Sequence, residues 1–393
     1  MKYNWSFSSP NGGKGREEAD KLILSGKPLS YGIYSTDIPL TGSWVHLDAC
    51  CETENIISPE TAVTVMLSFF RDDKTPIRRQ YITPKQADNC GKLIYSRVFE
   101  IPEETASCKI ELALRWPRSG SVTFNEPELT LCSPPDERIA RVVVTHFKQG
   151  VTAGQKAIHE RIGALVDKIS VNKPDLVCFC EMLQGLEKEP IDGPFVKLLS
   201  QSAIKCNSYM IGNFMEDTGD EMFNTSVLID RTGKLIGKYR KTHLPLSEVE
   251  MGISPGDTYP VFETDFAKVG MLICWDTSFP GVIGSLCKNG AELVVNSTVG
   301  DFWQHETARA RDNGVWLATA GAHRLENSHI PPSRIYDPTG TLVASTGDGT
   351  TDTFTYIDID FNKCFYQFWA SVGPCDGEPP SLFKVEHRPE TYD

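Results

Sequence analysis

Three short segments each put a reactive side chain just after what reads as a buried strand. The first, Asp175-Leu176-Val177-Cys178-Phe179-Cys180-Glu181, ends in a carboxylate. A glutamate there reads either as a solvated strand-end acid or, if partly desolvated, as a general base with a raised pKa. The second, Gly237-Lys238-Tyr239-Arg240-Lys241-Thr242-His243-Leu244-Pro245, is rich in cations. Such clusters usually form a solvated face. An inward-pointing Lys241 would instead hold a fixed positive charge beside a developing oxyanion. The third, Val269-Gly270-Met271-Leu272-Ile273-Cys274-Trp275-Asp276-Thr277-Ser278-Phe279-Pro280-Gly281, caps an apolar run with a thiol, followed by a turn and a helix start. A lone cysteine is more often core filler. A strand-to-helix elbow, however, exposes its side chain, and a helix N-terminus favours the thiolate. Together the three supply a base, a cation and a nucleophile at successive strand ends, where open α/β sheets gather their sites.

Residues so far apart in sequence need a layered scaffold to bring them together. Arg141 to Thr145 contains the β-branched run Val142, Val143 and Val144, and Ile158, Ile162, Leu165, Val166 and Ile169 recur at helical spacing. Strand-like runs follow at Leu176–Cys180, Ser226–Ile229, Val269–Cys274, Leu293–Asn296 and Val315–Ala320. Helical stretches lie near Gly281–Cys287 and His305–Asn313. Alternating strands and helices predict an α/β layered domain.

The chain before it differs. From about Trp44 to Cys132 the apolar residues alternate: Val63, Val65, Leu67 and Phe69, then Ile110, Leu112, Leu114 and Trp116. This predicts strands with one face toward a core and the other toward solvent, in an all-β sandwich of jelly-roll type. Ser133-Pro134-Pro135-Asp136-Glu137-Arg138 reads as a stiff linker. The expected domains are therefore 1–135 and 136–393.

Composition narrows the function. The 393 residues are 40% hydrophobic and 23% charged, an ordinary globular balance. A net charge of −13 gives no bulk attraction to nucleic acid or anionic lipid. No apolar run approaches the ~18 residues that span a bilayer, and the first twenty residues lack a signal-like apolar core, so a cytoplasmic protein is expected. The twelve cysteines then read as reduced thiols. Neither Cys50-Cys51 nor Cys178-Phe179-Cys180 has zinc-ligand spacing, and no metal is expected.

The order and local sequence of the three segments resemble the nitrilase-type carbon–nitrogen hydrolases. That family carries a Glu after an apolar strand, a Tyr-Arg-Lys-x-His-Leu segment, and an Ile-Cys-Tyr-Asp-like elbow followed by Phe-Pro. The counterparts here are Phe179-Cys180-Glu181, Tyr239 to Leu244, and Ile273-Cys274-Trp275-Asp276 with Phe279-Pro280. Asn224-Thr225-Ser226, Pro255-Gly256-Asp257, Ala308 to Asn313 and Ser333 to Gly340 resemble further family segments. The resemblance spans about Arg141 to Asp360 and leaves out the N-terminal β region. It implies a four-layer α-β-β-α sandwich.

It also implies Cys274 as nucleophile, Glu181 as general base and Lys241 as oxyanion stabiliser, joined by the backbone N–H of Trp275. A second family glutamate falls on Glu248 in preference to Glu250. Asn296 and Trp303 are candidate substrate contacts, although Trp303, like Phe302 and His305, reads equally as helix packing. His146 reads as a core or rim histidine. His243 favours an amide or ureide over a nitrile. Ser278 and Gly281 stand where many members have Arg and Glu, which suggests a substrate with no carboxylate near Ser278. No cofactor is implied, and a homodimer or larger assembly is. The competing readings are nitrile hydrolysis, acyl transfer through the same thioester, and a non-catalytic protein binding carbohydrate through the β-sandwich.

Overall fold

The computed structural model describes residues 2–86, 92–148, 155–323, 332–347, 351–368, 375–378, 384–388 and 391. The chain divides into two compact units. One is Met1–Asp136 together with Cys364–Asp393, and the other is Glu137–Lys363.

The first unit is a two-sheet β-sandwich. One sheet runs in the order Ser6–Ser8, Tyr31–Pro39, Ser107–Arg115, Val63–Phe70, Pro76–Ile82, Asp376–Gly377 and Gln367–Phe368. The other runs Gly13–Glu18, Lys21–Gly26, Ser121–Asn125, Trp44–Glu54, Lys92–Glu100 and Lys85–Gln86, with Glu128–Leu131 also on Trp44–Glu54. The alternating residues Val63, Val65, Leu67, Phe69, Ile110, Leu112 and Leu114 all enter one core with Phe99 and Phe124.

Two departures from the sequence expectation share one cause. The strand Val63–Phe70 is buried on both faces rather than one, and the chain's last residues belong to this unit rather than to a domain 136–393. Asp376 pairs in parallel with Arg78 of the Pro76–Ile82 strand. Val385, 1% exposed, packs on Met66 and Tyr81. The returning segment thus helps to cover the face that alternation assigns to solvent. Ser68 on that face donates to Glu111 at 2.9 Å, and Glu111 also pairs with Arg79, so these polar groups are satisfied without water.

The second unit is the α/β sandwich. Its strands follow the order Leu235–Arg240, Met222–Ile229, Tyr209–Asp217, Leu176–Cys178, Ile139–Lys148, Trp316–His323, Leu293–Ser297, Lys268–Ile273 and Val261–Glu263. The two halves join through a short parallel ladder, His146 to Gly321 and Phe147 to Ala322. Helices Gln155–Ser170 and Pro194–Cys206 cover one half, and Pro280–Lys288 and Trp303–Asn313 the other, which gives the four layers. Ile158, Ile162, Leu165, Val166 and Ile169 form the buried stripe of their helix, as their spacing predicts. Among the described residues no helix is long and apolar enough to cross a membrane.

Candidate active site

The strands deliver the three reactive segments to one place. Glu181 follows the Leu176–Cys178 strand, Lys241 follows Leu235–Arg240, and Cys274 follows Lys268–Ile273. The short helix Leu246–Glu250 turns Glu248 inward and leaves Glu250 in solvent. All four side chains are buried.

Lys241 Nζ donates to Glu181 Oε1 at 2.8 Å and to Glu248 Oε1 at 2.7 Å. The amide of Asn224 donates to the same two oxygens, at 2.9 and 3.4 Å. Asn213 in turn donates to Asn224 Oδ1 at 2.8 Å and accepts the Met182 N–H at 2.7 Å. The N–H of Val299 reaches Glu181 Oε2 at 3.2 Å. Each carboxylate is thereby held in one orientation by bonds from several strands. Glu248 Oε2 is buried and has no partner among the described residues.

Cys274 opens a 3₁₀ turn, Cys274–Ser278, with φ of 49°. A side chain other than glycine rarely takes this left-handed conformation, and it persists only where its surroundings hold it. Here the Cys274 N–H donates to Asn296 Oδ1 at 3.0 Å. Two residues on, Asp276 Oδ2 accepts the Ile273 N–H at 3.0 Å and the Tyr239 hydroxyl at 2.7 Å. Asp276 Oδ1 accepts the N–H of His243 at 3.0 Å. A buried aspartate therefore ties the cysteine elbow to the lysine segment. Its own pKa is raised by burial, which these donors partly oppose.

The electrostatics follow from enclosure. Burial pushes the Cys274 thiol up to about 12, and the charge of Glu181 adds to the effect, while Lys241 and a hydrogen bond with Thr298 oppose it. Desolvation thus works against the thiolate that a helix N-terminus would favour. Burial also works against the Lys241 ammonium, but Glu181, Cys274 and Glu248 outweigh it and hold the group above the ordinary lysine value. Burial raises the Glu248 carboxyl, and Lys241 offsets part of that rise.

Other predicted residues fall elsewhere. Asn296 is fully buried and spends its carbonyl on the Cys274 backbone, and its Nδ2 has no partner among the described residues. The Trp275 ring is 39% exposed and sits edge-on to Phe279 and Phe302. Its N–H lies in the first turn of the 3₁₀ segment, where helical N–H groups lack an intrahelical acceptor. Trp303 is half exposed at the start of its helix. His146 is buried beside Ser333 Oγ at 3.3 Å. Arg309, from the Trp303–Asn313 helix, donates to the Ser278 carbonyl at 3.4 Å. Asn213, Thr298 and the linking role of Asp276 escaped the sequence reading. The only signal was a polar residue inside or just past an apolar run.

A layered α/β fold with a buried Glu-Lys-Glu cluster and a cysteine elbow matches known proteins over the same region. The chain belongs to the carbon–nitrogen hydrolase family, whose pattern matches residues 140–365. It is 35% identical over 193 residues to omega-amidase NIT2 of Xenopus tropicalis, covering 44% of this chain and 70% of that one. To the human omega-amidase NIT2 it is 31% identical over 194 residues, with the same coverage. Among solved structures, the fold resembles that of Saccharomyces cerevisiae Nit3, a member of branch 10 of the nitrilase superfamily. The TM-score is 0.52 at 24% identity, over 57% of this chain and 90% of that one. It also resembles a mutant amidase from Nesterenkonia sp. AN1 in complex with acrylamide, with a TM-score of 0.50 at 19% identity over 58% and 93%. The protein is accordingly an amidase-like carbon–nitrogen hydrolase.

Proposed function

We propose that the protein hydrolyses a small amide or ureide through a thioester on Cys274. The observation that carries this reading is the placement of Lys241 between Glu181 and Glu248, with Glu181 near enough to the Cys274 thiol for its charge to raise the thiol pKa. A thiol raised by burial is protonated at pH 7, so its proton leaves as sulfur attacks. Glu181 accepts that proton while the sulfur–carbon bond forms. The carbonyl oxygen takes the negative charge, which the Lys241 ammonium and the Trp275 N–H stabilise. As the carbon–nitrogen bond breaks, Glu181 returns the proton to the departing nitrogen, leaving the thioester. Water then gives Glu181 a proton and adds to the carbon. The carbon–sulfur bond breaks, the acid departs, and the proton returns to sulfur.

Glu248, with one oxygen on Lys241 and the other unpartnered, would receive an N–H of the substrate. Asn296 holds the elbow and offers its amide nitrogen, and Trp303 would stand at the rim. The test is ammonia release from a panel of amides, ureides and nitriles, with wild type and Cys274→Ala compared. Amide or ureide turnover lost in the variant supports the reading. Equal rates in the two proteins, or turnover of nitriles alone, overturn it. Hydroxamate formation in hydroxylamine distinguishes acyl transfer from hydrolysis.

A further inference from the structure

Two strand ends of the α/β unit share one device. Cys274 and Met182, the residue after Glu181, both have left-handed backbones, with φ of 49° and 48°. Each N–H is held by an asparagine on the neighbouring strand. Cys274 donates to Asn296 Oδ1 at 3.0 Å, and Met182 donates to Asn213 Oδ1 at 2.7 Å. Asn296 thus acts on the nucleophile, and Asn213 acts on the base. Resting on the thioester reading with Glu181 as base, we propose that Asn213 is a positioning residue for the reaction: it fixes which way the Asn224 amide points, so that both Asn224 N–H groups face Glu181 and Glu248.

The polarity of this relay fixes the direction of every bond in it. An asparagine amide accepts at one end and donates at the other, and a half turn exchanges the two. Here each end of the relay meets a group that cannot exchange. The Met182 N–H can only donate, so it takes Asn213 Oδ1 and turns the Asn213 NH2 toward Asn224. That NH2 donates to Asn224 Oδ1 at 2.8 Å and to Ser226 Oγ at 3.3 Å, which spends both its hydrogens. With its oxygen engaged, Asn224 presents its NH2 to Glu181 Oε1 at 2.9 Å and Glu248 Oε1 at 3.4 Å. Lys241 Nζ donates to the same two oxygens. Turned the other way, Asn224 would aim a carbonyl oxygen at two carboxylates.

That reversal would matter because the two acids share one cation. The charged and titratable groups that face them are each other, the Lys241 ammonium and the Cys274 thiol. Burial raises the Glu248 carboxyl, and the Asn224 bond is among the contacts that hold it down. A neutral amide thus stabilises the carboxylates without a second positive charge. Asn213 is itself fully buried, in a strand whose residues Tyr209 to Glu216 are all buried, and a polar group in such a place is costly unless bonded. Its bonds run to the backbone beside Glu181 on one side and to the donor of both carboxylates on the other. Placement and charge of the base therefore depend on one side chain.

Asn213→Ala, compared with wild type in the full chain from about pH 5 to 9, tests the proposal by two measurements. One is kcat and KM for an amide that wild type hydrolyses. The other is the rate at which iodoacetamide alkylates Cys274, followed by peptide mass, which needs no substrate. With Asn224 free to turn, the acid limb of both rate profiles should move up by at least about 0.5 pH unit. The loss in kcat should be at least about threefold below the limb and should shrink above it, with KM nearly unchanged. If the alanine variant melts early, Asn213→Ser should give the same shift, because its shorter hydroxyl can accept from Met182 but falls short of Asn224. An unmoved acid limb in the alkylation profile overturns the proposal, whether the rates match wild type or fall by one factor at every pH, as loss of a purely structural residue would give. Wild type without amide turnover would overturn the thioester reading instead, and the alkylation profile would still decide the role of Asn213.

Discussion

The hydroxyl of Tyr239 donates to Oδ2 of Asp276 at 2.7 Å, and with the His243 N–H on Oδ1 this bond links the segment that carries Lys241 to the elbow that carries Cys274. Neither residue is placed to touch a substrate. Both fix the separation of groups that must act on one carbon, and misplacement of about 1 Å can cost on the order of a hundredfold in rate.

Tyr239→Phe removes that bond while keeping the ring. Asp276 retains the N–H groups of Ile273 and His243, so the fold survives with a loss of about 1 kcal/mol. Amide turnover should fall about tenfold in kcat with KM nearly unchanged. Steady-state kinetics and a melting curve check both parts, and an unchanged kcat would count against the linking role.

Lys241→Met leaves Glu181 and Glu248 facing each other in a buried site without their shared cation. Breaking a buried pair in this way typically costs 3–5 kcal/mol, roughly. The variant should melt earlier than Cys274→Ala and lose at least about 10²-fold in turnover. Adding Glu248→Gln should restore part of the stability and none of the activity.

Glu306 gives a pH signature separate from catalysis. Burial raises its carboxyl to about 7, although Arg334 lies 3.7 Å away and opposes the shift. The folded protein therefore holds a proton that the unfolded chain releases near pH 4.5. Stability should fall as pH rises from about 4.5 to 7, by on the order of 2–3 kcal/mol. Glu306→Gln should remove this slope, raising the unfolding temperature at pH 8 and leaving it nearly unchanged at pH 4.5. A wild-type melting temperature that is flat or rising across the interval would contradict the assignment.

Deleting residues 364–393 strips the cover from Met66 and Tyr81 and leaves the outer edge of the Pro76–Ile82 strand unpaired. The β unit should then unfold earlier in calorimetry, by several degrees, while the transition of the α/β unit stays in place. A single unshifted transition would argue against the returning segment as part of the sandwich.

Glu181 and Cys274 were legible because each closes a local apolar run, and runs of that kind become strand ends; Lys241, which follows Lys238-Tyr239-Arg240, was legible only from the motif around it. Glu248 was legible only as one of two acids, because nothing in the sequence says which side of a five-residue helix faces inward. The strand Tyr209–Asp217 and the helix Pro194–Cys206 were missed. The strand is buried on both faces almost throughout, so it shows no alternation, and the helix mixes small and polar residues into its inner face. Asn213 and Thr298 were hidden for a related reason: their importance comes from partners on other strands. Arg309 at the Ser278 carbonyl was hidden too, because it comes from a helix about thirty residues on.

The closing stretch of the chain, which pairs with Arg78 and covers Met66, has a bearing on biosynthesis. The ribosome must finish about 230 residues of hydrolase before the segment that completes the β-sandwich emerges, a delay on the order of 10–45 s at typical translation speeds. Throughout that interval the nascent sandwich presents an open strand edge and a bare apolar strip. The sandwich is thus begun before the hydrolase unit and finished after it, and chaperone demand during synthesis should fall there.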